Sequence, residues 1–333
     1  MRQVDNTFAM KKLRESGMTL IELMVALAIG MFLMIGAMTV FVQSRTTFRV
    51  TESVARLQET ARFAIDTLEP DVRMAQYYGL NTRGYLIRAR GIPTGPPGIG
   101  PVTCGNNWTI NLVQSVQGTN NGYAWACAGV APVETNSDTL VVRHVSDDIV
   151  VPVAAQMSVV STRTSGRIFN TAAIPPNFPA AVSEVHRLVV NGYYVRRATA
   201  TTPPALRRKS LQPAGNIIDE EVIAGVEDMQ VQFGVDTDPP GTPDKPNPNR
   251  GSVDRYLSTN DPMIDPTNAA FNPDAIIVAV RIWLRVRAER AENGFTDTTN
   301  YVYADQNVGP FNDGFRRVLI SKTIYLRNAR PIT

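Results

Sequence analysis

The sequence predicts an α+β protein in which one long N-terminal helix precedes an antiparallel β-rich domain. Three observations predict it. Leu23–Ser44 is a twenty-two-residue run without a formal charge, long enough as a helix to cross a bilayer core of ~30 Å. Val54, Leu57, Ala61, Ala64, Leu68, Val72 and Ala75 then recur at three- and four-residue steps, which is a helical stripe. Beyond residue 84 the period changes to two, with turn-rich stretches between short apolar runs.

The first element carries one anomaly. Glu22 is the sole formal charge between Gly17 and Arg45. A charge inside a membrane-crossing helix costs ~2.5–3.5 kcal/mol when central and less near the end, so the position needs a reason. Lys11, Lys12 and Arg14 precede the run and orient it with its N-terminus in the cytoplasm and the bulk of the chain outside. The apolar run is far longer than the 7–15 residues of a cleaved secretory signal. A plain signal anchor fits the length and the flanking charges, but gives Glu22 no role.

The stripe at 54–75 extends the same helix into water. Residues 18–44 form the membrane and assembly segment, 45–78 its amphipathic continuation, and 79–333 a β-rich domain. Pro70 is expected to end or kink the helix, because its ring removes a hydrogen bond and restricts the preceding residue. The whole helix would be roughly 50 residues, on the order of 75 Å.

Strands follow. "DTLVVRHV" (138–145) and "IVVPV" (149–153) are short β-runs. "VHRLVVNGYYVRRA" (185–198) reads as a hairpin turning at Asn191-Gly192. "MQVQFGV" (229–235) puts Met229, Val231, Phe233 and Val235 on one face. "AVRIWLRVR" (279–287) sends Val280, Ile282, Leu284 and Val286 one way, and Arg281, Trp283, Arg285 and Arg287 the other. "FRRVLISKTIYLRNA" (315–329) is a last strand, and long loops are expected at 91–101, 199–216 and 236–275.

The net charge is +3, of which residues 1–17 carry +2, so a basic surface for nucleic acid is not indicated. Cys104 and Cys127 form a disulfide if their region lies outside the cytoplasm; otherwise they are two small apolar side chains. Zinc is not expected, since neither a CxxC pair nor a His cluster accompanies them.

"SGMTLIELMVALAIG" resembles the class III leader of type IV pilins and pseudopilins. In that family a short basic leader ends in Gly, a membrane peptidase cuts after it, and the fifth mature residue is Glu. The resemblance implies a leader at 1–17 cleaved between Gly17 and Met18, N-methylation of Met18, and Glu22 on the fifth position. The family most often has Phe where this chain has Met18. Glu22 would then neutralise the new amine, in its own chain or in a neighbouring subunit, because an unpaired buried charge costs several kcal/mol; the resemblance implies the pairing between subunits, which fixes the stagger between helices. "VIAGVEDMQVQFGVD", "AVRIWLRVRAE" and "RRVLISKTIYLRNARP" resemble the C-terminal half of PilW-family minor pilins. The two resemblances together imply a type IV pilin-like fold and a minor pilin that primes pilus assembly at the fibre tip. The implied partners are other minor pilins, the major pilin, the prepilin peptidase and methylase, the inner-membrane assembly platform and membrane lipid. Localisation would be single-pass in the inner membrane with a periplasmic domain, then the pilus. A pseudopilin of a type II secretion system, or a signal-anchored periplasmic enzyme or binding protein, are the alternatives.

No catalytic constellation is legible. Only His144 and His186 exist; "RHVSDD" sets His144 near Ser146, Asp147 and Asp148, but strand neighbours point to opposite faces. His144 is read instead as a strand-end residue beside solvated carboxylates. Asp236, Asp238, Asp244, Asn247, Asn249 and Asp254 are read as a solvated turn, because prolines break the ligand spacing of a calcium loop. "RRATATTPPALRRK" (196–209) lacks interleaved aromatics and is read as a flexible solvated loop. No cofactor or metal is expected.

Overall fold

The computed structural model describes residues 17–88, 104, 108–213, 215–239, 247 and 249–329. The leader through residue 16 and the loop at 91–101 lie outside the described residues, as does Asp244. The chain divides into two compact units, Met1–Ser53 and Val54–Thr333. The boundary falls inside one helix, α1 (Leu20–Met74).

In the first unit the described residues are three positions without regular secondary structure and the first part of α1. Its apolar side chains are exposed throughout, from Leu20 to Phe48. Thr39 donates its hydroxyl to the carbonyl of Ile35 (2.8 Å), and Thr46 to that of Val42 (3.0 Å), so neither leaves an unmet donor on the apolar surface.

In the second unit the expected stripe is the core. Leu57, Ala61, Ala64, Leu68, Val72 and Ala75 are buried, joined by Ile65. Burying Leu57, Ile65, Leu68 and Val72 stabilises the unit by ~1.5–3 kcal/mol per side chain. Pro70 does not end α1, which runs one more turn to Met74. Pro70 is exposed, so the carbonyl its missing N–H would have served can face water, while Leu68, Val72 and Ala75 pin the turn from the other side. The helix therefore stops at Met74, four residues short of the expected 78. Asn328 donates to the carbonyls of Met74 (3.5 Å) and Ala75 (3.3 Å), and Gln76 turns the chain out at φ 69°.

Among the described residues the strands that follow are β1 (Ile87–Arg88), β2 (Val116–Thr119), β3 (Thr139–Ile149), β4 (Ser158–Ser161), β5 (Gly166–Phe169), β6 (Glu184–Arg196), β7 (Ala205–Leu211), β8 (Ile217–Ala224), β9 (Val226–Asp236), β10 (Arg255–Ser258), β11 (Ile276–Arg287), β12 (Tyr301–Tyr303), β13 (Gln306–Val308) and β14 (Arg317–Tyr325). One sheet has the order β1-β5-β4-β6-β3-β2, with β7 beside β6 and β8 beside β7. A second has the order β10-β9-β11-β14, and β12-β13 is a separate hairpin. All pairings are antiparallel except β1 with β5. The helix stripe packs on Met229, Val231, Phe233 and Val235 of β9, on Val280, Ile282, Leu284 and Val286 of β11, and on Leu140, Val142 and Tyr193 of the larger sheet.

Four expectations are corrected. Asn191-Gly192 is not a turn; it sits inside the continuous thirteen-residue β6. Gly192 is there for close approach, since a Cβ would lie 2.7 Å from both Trp108 and Trp125, and the Asn191 side chain is tied elsewhere. Residues 150–153 are not a strand, as β3 ends at Ile149 and Pro152 follows. The expected loop at 199–216 contains β7, and that at 236–275 contains β10. The second face of β11 carries arginines that stack on aromatic rings: Arg285 lies 4.9 Å from the Phe311 ring, Arg287 4.1 Å from Phe315, and Arg281 3.5 Å from Tyr256.

Candidate functional site

The site begins where the chain enters α1. Thr19 precedes the first helical residue, and its neighbour Met18 is 70 % exposed. The backbone N–H and the hydroxyl of Thr19 both donate to Oε2 of Glu22, each at 2.9 Å. In return the Glu22 N–H donates to Thr19 Oγ1 at 3.3 Å. This reciprocal arrangement is a capping box, and it satisfies helix N–H groups that have no partner within the helix. The sequence signal for it is "TLIE", a Thr three residues before a Glu at the head of the apolar run. Because Thr19 keeps an amide N–H even if the chain is cut after Gly17, the box survives that cut.

A second carboxylate on α1 is held very differently. Asp71 Oδ2 accepts from Asn191 Nδ2 at 2.6 Å and from the Tyr193 hydroxyl, and Oδ1 lies 3.4 Å from His144 Nε2. Burial alone would push Asp71 up, yet the bond and charge of His144, with the bonds from Tyr193 and Asn191, hold its carboxyl below the ordinary value. So His144 is not a strand-end residue facing solvated carboxylates: it is buried within β3, because the helix brings it an acid from seventy-three residues away. Asp147 and Asp148 are exposed, as expected. His186 is also buried, with Nδ1 2.8 Å from the Ser146 carbonyl. The hydrogen-bond partners of the two rings are backbone carbonyls and carboxylates: Val145 and Asp71 for His144, Ser146 and Glu184 for His186.

The acidic turn does gather: carboxylate oxygens of Asp236, Asp238 and Asp254 lie within 4.8 Å of one another. Its members are already engaged. Asp236 accepts from the N–H of Asp238 (2.8 Å) and of Gly251, Asp254 accepts from the N–H of Thr237 (2.7 Å), and the Arg250 guanidinium stands 3.9 Å from Asp236. The basic stretch 196–209 is not a free loop. Arg207 pairs with Asp219 (2.8 Å), Arg208 with Glu220, Lys209 with Asp219 (2.8 Å) and Arg196 with Glu221 (3.3 Å), cross-strand pairs that neutralise it against β8. Cys104 and Cys127 are joined in a disulfide.

Two family models match the chain. The prokaryotic N-terminal methylation motif covers residues 12–38, and type IV pilus-assembly protein W covers 192–328, from the middle of β6 past β14. The chain carries a class III prepilin leader and a PilW-like domain. No curated protein matches the sequence. Among solved structures, a type IV-like pilin from Thermus thermophilus is similar at 13 % identity and TM-score 0.25, covering 58 % of this chain and 80 % of its own. The matched methylation motif and the exposed apolar stretch of α1 have the character of a pilin-like, membrane-anchoring N-terminus. The PilW-like region contains β9, β11 and β14, whose apolar residues receive the helix stripe, and Asn328, which caps the helix.

Proposed function

We propose that the chain is a minor pilin of the type IV pilus that primes assembly with other minor pilins at the fibre tip. The observation that carries the reading is Glu22, the sole formal charge between Gly17 and Arg45, on the fifth position after Gly17 of a helix whose apolar surface is exposed. An exposed apolar helix of this length needs lipid or other helices around it. In this reading a prepilin peptidase cuts between Gly17 and Met18, and the new terminus of Met18 is methylated. The precursor spans the inner membrane once at 18–44 with its β-rich domain in the periplasm, where oxidising conditions suit the Cys104–Cys127 disulfide.

Within the bundle of helices beneath the tip, the Met18 amine of one subunit meets the Glu22 carboxylate of its neighbour. Leaving either charge unpaired in an apolar bundle costs several kcal/mol, so the pair selects one axial stagger. Oε1 of Glu22 takes part in neither capping bond and is the oxygen available for that contact. The major pilin and the assembly platform are the further partners.

The test is complementation of a deletion strain, scored by surface piliation. Wild type should restore pili, and Glu22→Ala should leave the protein in the membrane with piliation reduced at least tenfold. Full restoration by Glu22→Ala would remove the pairing mechanism. Normal piliation of the deletion strain itself, with defective protein secretion, would move the chain to the pseudopilins.

A further inference from the structure

The larger sheet buries a cation that has no carboxylate partner among the described residues. Arg143 of β3 is 0 % exposed and lies on the face of the sheet packed with Tyr78, Trp108, Val141 and Val145. Its Nε donates to the Trp108 carbonyl (2.7 Å), Nη1 to the Gln114 carbonyl (2.6 Å) and Nη2 to Gln117 Oε1 (2.9 Å). All three acceptors are neutral, and a guanidinium has five N–H groups, so two have no partner among the described residues. The contrast within the molecule is sharp: Arg196, Arg285 and Arg317 are buried too, and each has a carboxylate within 3.3 Å. The sequence from 89 to 107, which leads to Trp108, contains neither Asp nor Glu.

Beside Arg143 lies a cavity of about 220 Å³, lined by Trp108, Asn111, Gln117, Thr119, Trp125 and Arg143 itself. That is the space of roughly seven waters at ~30 Å³ each. Trp108 is 7 % exposed, and its indole N–H has no hydrogen-bond partner among the described residues. The Trp108 and Trp125 rings meet edge to face at 5.7 Å, and Gly192 leaves the room they need. Arg143, Trp108 with its unpartnered indole N–H, and Trp125 thus line one opening.

We infer that this pocket binds a small organic carboxylate with a flat or apolar body. The carboxylate supplies the charge that Arg143 lacks and accepts from its remaining N–H groups, a charge-assisted bond stronger than any neutral one. The body of the ligand covers indole surface, which an inorganic anion cannot do. The site lies outside the PilW-matched residues apart from Gly192 at their first position, so it is independent of the pilus reading.

Two of the three tryptophans line the pocket, so tryptophan fluorescence reports on it directly. Full-length protein in detergent is titrated with benzoate, with its neutral isostere benzamide, and with inorganic phosphate at matched ionic strength. Benzoate should give a saturable change and raise the unfolding midpoint by a few degrees; benzamide and phosphate should do neither. Gln117→Glu places a carboxylate against Nη2 and should weaken benzoate at least tenfold while keeping or raising the unfolding midpoint. Trp125→Ala should weaken benzoate without changing the charge of the site. A benzoate response no different from benzamide or phosphate overturns the inference, as does undiminished benzoate binding in both variants.

Discussion

Glu22 and Asp71 are carboxylates on the same helix, and their surroundings could hardly differ more. Glu22 stands on a helix segment whose apolar side chains are exposed, and among the described residues its hydrogen bonds run only to Thr19, three residues away. Asp71 is held by His144, Asn191 and Tyr193, all more than seventy residues distant in sequence. The first carboxylate is satisfied locally and is left with an oxygen to offer outward. The second is used up in holding the helix to the sheet. A charge on a helix therefore reads as structural when the fold surrounds it and as functional when the fold leaves it open.

The largest stability effect should fall on Asp71. Asp71→Ala leaves a buried imidazole, amide and phenol without their common acceptor, and should lower the unfolding free energy by about 3–5 kcal/mol in denaturant titrations. A loss under 1 kcal/mol would erase the distinction drawn between the two carboxylates. Next comes the disulfide. Cys104→Ser with Cys127→Ser opens a loop of sequence separation 23, and should cost about 3 kcal/mol in the chain-entropy model.

The pH dependence sharpens the contrast further, because a third carboxylate has the opposite sign. Asp138 is buried between the sheets, accepting from the N–H groups of Asn121 and Val231, both at 2.8 Å. Burial pushes it up from 3.8 to about 7 despite those bonds. A carboxyl raised in the folded state binds a proton that the unfolded chain has lost. Its contribution therefore falls as pH rises from about 4 to about 7, by up to ~1.4 kcal/mol per pH unit. Asp71, held below its ordinary value, contributes above pH 3.8 and loses that contribution as pH falls through its lower folded value. Unfolding free energy measured at pH 5, 6 and 7 should decline more steeply in wild type than in Asp138→Asn. Parallel slopes would contradict the assignment.

The smallest effect should belong to Thr19→Ala. It removes the capping box but leaves the Glu22 carboxylate in place, at a cost of about 0.5–2 kcal/mol to the helix start. Fibre incorporation should stay within twofold of wild type while Glu22→Ala loses at least tenfold. Equal losses would show that Glu22 acts through the cap and not through a neighbour.

Much of this was legible in the sequence where a single periodicity decides the outcome. The stripe from Leu57 to Ala75 and the alternating faces of β9 and β11 are buried as their spacing requires, because one-sided burial leaves little freedom. What failed was whatever depends on a partner far along the chain. Asn191-Gly192 carries a turn signal, yet two indoles and Asp71 claim those residues for a strand. Arg207, Arg208 and Lys209 read as a basic loop until Asp219 and Glu220 arrive beside them on β8. Pro70 follows its rule only weakly, since the buried side chains around it outweigh one lost hydrogen bond. At the site itself the position of Glu22 was plain, but its bond to Thr19 was overlooked although "TLIE" spells it out.

The most direct test of the account is the intact mass and N-terminal sequence of the protein extracted from membranes of its native host. The account predicts a chain that starts at Met18, with one added methyl on its amine. A chain that still starts at Met1 would contradict it, because without the new amine Glu22 has no charge to meet in a neighbouring subunit.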